Sequence, residues 1–152
     1  MKRVGLWAIG IGVLVSAGPL SEEAYAGENG ARCTLATLNG QYLFAESGTL
    51  FPPAFGVTKQ SIGNSAGFHI FNGDGTGTDF VTFSVNGVNQ HVPSPVTITY
   101  TLNPDCTGTL SVQNGPNHNI FVAVDGSSLT SINTDPGVAF SGGSQPGVRL
   151  DR

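Results

Sequence analysis

Charge is what this chain has least of. Only 11% of its residues are Asp, Glu, Lys or Arg, and beyond residue 26 just four cations (Arg32, Lys59, Arg149, Arg152) face eight carboxylates. A surface that grips a phosphate backbone needs clustered Lys and Arg, so nucleic acid is not an expected partner. Anionic lipid likewise finds no basic face. No phosphate-binding glycine loop ends in a lysine, since Lys59 has none before it. Cysteine is limited to Cys33 and Cys106. With no second cysteine at short spacing and no histidine close by, neither has the surroundings of a nucleophile or a metal ligand. Helical periodicity is missing too, because no ten-residue stretch beyond residue 26 repeats its apolar positions every three to four residues. Helix bundles and α/β folds are thereby disfavoured.

What is present begins with a leader. Lys2 and Arg3 precede an apolar run from Val4 to Val15, and the small-residue box Ala24-Tyr25-Ala26 follows. This is the layout of a secretory signal peptide over residues 1–26, cleaved after Ala26, with the mature chain at 27–152. The apolar run is too short to span a bilayer core, which takes roughly 20 residues, so no membrane span is expected after cleavage. Export to the periplasm or the cell exterior follows. The mature chain is long enough for one domain and too short for two. Trp7 and Met1 are the sole residues of their kinds and leave with the leader, so Tyr42 and Tyr100 remain as the mature chromophores. In an oxidising compartment an even pair of cysteines reads as a disulfide between Cys33 and Cys106.

The mature chain alternates. In VTITYTL, residues 96–102, Val96, Ile98, Tyr100 and Leu102 alternate with three threonines, which predicts a strand with one apolar and one hydroxylated face. Less regular runs lie at 41–47, 66–71, 79–85, 109–113, 119–124 and 128–134, and a last one is expected within 138–150. Asn86-Gly87, Asn114-Gly115, Asp125-Gly126 and Asn103-Pro104-Asp105 punctuate them, supplying the backbone geometry of tight hairpins. Seven or eight short sequential strands make an all-β antiparallel meander, which closes on itself or folds into a sandwich to remove its edges. The stretch 48–64 fits less well, because Pro52 and Pro53 remove two ladder donors. It is expected to be a loop or irregular edge strand, either pinned by Phe51 and Phe55 tucked into the core or lying as a lid over an open barrel end.

The order of these features carries a resemblance. Cys33, then LNGQYLF (38–44), FNGDGTG (71–77), YTLNPDCTGT (100–109) and INTDPG (132–137) recur in this sequence as they do in a group of uncharacterised exported bacterial proteins. These resemble one another in having a small calycin-like barrel similar to that of allene oxide cyclase. The resemblance implies a small antiparallel up-and-down barrel of about eight strands. Plant enzymes with a similar barrel isomerise a fatty-acid epoxide, but fold analogy does not license an activity, and no catalytic residue transfers.

Candidate chemistry is sparse. Asn72, Asp74 and Thr76 stand at alternate positions as in a calcium loop, but Phe83 occupies the twelfth position, where a bidentate Glu is needed. His69, His91 and His118 share no ligand-like spacing, and the stretch 142–146 (GGSQP) does not match a nucleophile elbow. No cofactor, metal or catalytic set is expected. Nine phenylalanines in a small barrel allow either a packed interior or a site for one small hydrophobic ligand. Phe44, Phe68, Phe83 and Tyr100 are the candidate lining residues. A structural or interaction role in the cell envelope is the alternative and would go with a filled interior. An isomerase-like enzyme would require a polar group such as Glu46 or Tyr100 at the floor of a cavity.

Overall fold

A computed structural model describes residues 32–92 and 94–143. The expected leader and the part of the last strand expected beyond residue 143 lie outside the described residues. Nine strands follow one another among the described residues: β1 (Asn39–Leu50), β2 (Ser61–Asn72), β3 (Thr76–Val85), β4 (Val88–Gln90), β5 (Val96–Leu102), β6 (Thr107–Val112), β7 (Asn117–Val122), β8 (Leu129–Asn133) and β9 (Val138–Gly143). Consecutive strands pair antiparallel, save that β5 pairs with β3 and not with β4, and β9 returns to β1, closing an eight-stranded up-and-down barrel from which β4 projects as a short hairpin on β3.

The alternation seen in sequence becomes inside and outside. In β5, Ile98 and Tyr100 are buried while Thr97, Thr99 and Thr101 face solvent. β1 and β2 run further than expected, continuing through residues 48–50 and 61–64 and pairing from Asn39↔Asn72 to Leu50↔Ser61. The prolines fall just past the last ladder pair, so the loop shrinks to residues 51–60. Gly48 and Gly63 face each other across this pair of strands. A Cβ on either would collide with the ring of Phe140, so these glycines make room for that ring.

One end of the barrel is plugged. Leu38, Tyr42, Phe71, Ile98, Tyr100, Leu110, Ile120, Val122 and Leu129 form one buried cluster there. Leu38 follows a short helical turn, Leu35–Thr37, that crosses the barrel end. The Tyr100 hydroxyl shares its hydrogen between the carbonyls of Leu35 (2.9 Å) and Leu38 (3.0 Å), and Tyr42 donates to the Gly126 carbonyl at 2.6 Å. The expected disulfide joins Cys33 to Cys106, fastening the plug to the β5–β6 turn.

That turn has a twin. In residues 72–76 (NGDGT) and 103–107 (NPDCT), the Asn side-chain amide donates to the Thr hydroxyl, and the Thr N–H and hydroxyl both donate to the Asp. In the first turn, therefore, the polar groups that suggested a calcium loop hydrogen-bond one another and build a hairpin corner. Gly75 (φ 94°) and Cys106 (φ 68°) occupy equivalent left-handed positions. Left-handed backbone is natural for glycine and strained for cysteine.

Candidate functional site

The other end of the barrel is hollow. A cavity of about 420 Å³ lies between the floor formed by Leu110, Ile120 and Leu129 and the loops of the open end. Its wall is largely apolar, with Phe44, Val81, Phe83, Val112, Val138 and Phe140 contributing. β5 pairs with β3 only from Thr76↔Thr99 to Asp79↔Val96. Beyond that point the wall is completed by His91, Val92 and Pro95 from the connection after β4. Phe55, half exposed at the mouth, packs against Phe83 with ring centroids 5.6 Å apart. It is held in a left-handed conformation (φ 49°). Neither Phe51 nor Phe55 is tucked into the core, since both remain exposed.

Into this apolar wall the strands project a belt of polar groups. The inner face of β1 reads Tyr42, Phe44, Glu46, so the strand that packs two aromatics inward also turns a carboxylate inward. Glu46 stands opposite Ser65 on β2 and Gly142 on β9. A Cβ at Gly142 would collide with the Glu46 side chain, so glycine gives the carboxylate its space. One Glu46 oxygen accepts a 2.6 Å hydrogen bond from the Ser131 hydroxyl and lies 3.6 Å from His118 Nε2, an ion-pair separation. The other is 3.5 Å from the Ser65 hydroxyl. Burial pushes the Glu46 carboxyl up, but His118, Ser131 and His69 together outweigh it and hold the group below the usual carboxylate range. Both ring nitrogens of His118 are buried without a hydrogen bond.

A second pair faces the same cavity. His69 on β2 and Asp79 on β3 are direct cross-strand partners, with Nδ1 and Oδ1 3.2 Å apart and both residues buried. The imidazole lies flat on Phe44, with centroids 4.2 Å apart and planes 6° from parallel, and meets Phe71 at a tilt with centroids 5.5 Å apart. His91 is exposed at the mouth. Three histidines without ligand-like spacing thus all line one cavity. Among the described residues no cluster of three or more His, Cys, Asp or Glu has the arrangement to hold a metal ion.

Of the four aromatic residues singled out from the sequence, Phe44 and Phe83 line this cavity. Phe68 alternates with the inward residues of β2 and stacks outside the barrel on its cross-strand partner Phe80, at 4.6 Å. Tyr100 belongs to the packed half, with its hydroxyl spent on the plug. Glu46 faces the cavity and Tyr100 does not. His69, Asp79, His118 and Ser131 were not singled out from spacing, yet their parity was readable. His118 alternates with Ile120 and Val122, and His69 with Phe71, so each shares the inward face of its strand. No known protein family, curated protein or solved structure matches the chain.

Proposed function

We propose that this is an exported protein that encloses one small, largely apolar molecule in the open half of its barrel, with a polar group of that molecule turned toward Glu46. The observation that carries this is the hollow itself. A volume of about 420 Å³ falls within the range of sites for small ligands, roughly 300–1,000 Å³, and such sites combine apolar walls with a few placed polar groups. A barrel built only as a rigid envelope component would gain stability by filling that space with side chains.

The ionised Glu46 sets the ligand's chemistry. A carboxylate ligand would meet like charge in a desolvated site, whereas a neutral or cationic head with a donor finds an acceptor. Export is supported by the leader pattern and by a disulfide of the kind that persists in oxidising compartments. An isomerase acting on a lipid-like epoxide is a second reading, favoured by the inward placement of Glu46 that such an enzyme requires.

Native mass spectrometry of protein purified from the organism that encodes it tests the proposal. A retained molecule, displaced by short alcohols or amines and not by short fatty acids, is the expected result. An empty protein that takes up none of them overturns it. Export is tested by the amino terminus of the secreted or periplasmic protein, expected at Gly27, with absorbance near 280 nm reporting the loss of Trp7.

A further inference from the structure

The His69–Asp79 pair is not needed to enclose an apolar molecule. Two buried ionisable groups in a cavity wall cost stability relative to an apolar pair of the same shape, so their presence calls for a use. Their geometry supplies one. Asp79 faces the Nδ1 edge of the imidazole at 3.2 Å, so a proton carried on Nδ1 meets a carboxylate and Nε2 is the ring nitrogen left to act as a base. Phe44, stacked flat on the ring, and Phe71, in tilted contact with it, hold that orientation. Nδ1 and Oδ1 are both buried and make no hydrogen bond, so their 3.2 Å approach is the only polar contact either has among the described residues, and the ring forms part of the cavity wall. A base held in one orientation in the wall of a largely apolar cavity is the arrangement general-base catalysis requires.

We infer that the cavity is a catalytic site in which His69, positioned by Asp79, moves a proton on the enclosed molecule. This rests on the enclosure proposed above. The substrate class is a small, largely apolar ketone that also carries a hydroxyl or amino donor for Glu46 and has a carbon–carbon double bond one carbon removed from conjugation with its carbonyl, and the reaction is migration of that double bond. Nε2 takes a proton from the carbon between the carbonyl and the double bond. The C–H electron pair becomes a new C=C bond as the carbonyl π pair moves onto oxygen. The imidazolium then returns the proton to the far carbon of the extended enolate, the oxygen pair re-forms the carbonyl, and the double bond has moved into conjugation. Atoms and charge balance without a co-reactant.

The test uses the purified protein and 5-nitrobenzisoxazole, a small apolar carbon acid. When a base removes its C–H proton, the electron pair forms a nitrile, the ring N–O bond breaks and a coloured phenolate is released. Binding is followed separately by ligand-observed NMR. Saturable turnover is expected, with His69→Gln lowering kcat at least about 100-fold while the probe still binds. Asp79→Asn should lower kcat more than about tenfold with KM unchanged, a split that mere loss of structure would not give. Circular dichroism checks that both fold, and if His69→Gln does not, Asp79→Asn carries the test. Turnover unchanged in both variants overturns the assignment of the base. Binding without turnover overturns catalysis and leaves the enclosure standing. No binding of the probe, together with no molecule retained in native mass spectrometry, overturns both.

Discussion

Removing the disulfide tests how the barrel end is held. Cys33 and Cys106 are 73 residues apart in sequence. Closing a loop of that length removes chain entropy from the unfolded state worth about 4 kcal/mol at 25 °C. For a domain of this size the double variant Cys33→Ala/Cys106→Ala should lower Tm by roughly 15–20 °C. The turn offers an internal control. Cys106 sits at φ 68°, where Gly75 sits in the twin turn, so alanine at 106 keeps the backbone strain and glycine relieves it. Cys33→Ala/Cys106→Gly should therefore be the more stable of the two variants by about 1 kcal/mol. Thermal unfolding followed by circular dichroism measures both steps. Because the cavity lies at the opposite end from the plug, ligand uptake at a temperature where the variants remain folded should match that of the parent. A loss of less than about 5 °C in the alanine variant would refute the loop-closure reasoning. An alanine variant as stable as the glycine one would refute the strain at position 106.

Three further outcomes follow from the interior. Tyr100→Phe leaves the Leu35 and Leu38 carbonyls without their shared donor and should cost about 1–3 kcal/mol in urea unfolding; no loss would mean that the plug hydrogen bonds are dispensable. Glu46 has a folded-state pKa below its ordinary value of 4.5, so the stability contributed by its ionised form is fully present above pH 4.5 and disappears as pH falls through the lower folded value. Glu46→Gln should accordingly lose less stability than the parent on acidification below pH 4.5, and parallel acid-unfolding curves would contradict the placement of the carboxylate. Val81→Trp puts an indole into the cavity and should abolish ligand uptake while the far-ultraviolet spectrum stays that of a barrel; undiminished uptake would place the site elsewhere.

Much of the scaffold was legible because barrels are built by rules with short range. Period-two alternation in Val96–Leu102 and Asn-Gly or Asp-Gly punctuation specify sequential hairpins, and closure follows from the need to remove edges. The lengths of β1 and β2 were not, because Gly48 and Gly63 look like strand breakers until the Phe140 ring from the far end of the chain is seen to occupy the space they leave. The site was half legible for a related reason. Parity along each strand assigns Phe44, Glu46, His69 and His118 to the inner face, but parity is one-dimensional and leaves the inward Tyr100 as plausible a neighbour of a ligand as Phe44. Phe68 belongs to the other parity of β2, and Tyr100 lies too near the plugged end.

The amino-acid sequence alone determined the all-β class, the sequential strand order and the pairing of its two cysteines, because alternation, turn chemistry and cysteine count act locally or admit a single pairing. Only the tertiary structure decided that one half of the interior is packed and the other hollow. It also decided that Glu46 meets Ser131 across 85 residues of chain and that His69 faces Asp79. These depend on where along the barrel axis each inward position falls. That height is set jointly by register, strand tilt and closure of all eight strands, none of which is a property of any one stretch of sequence.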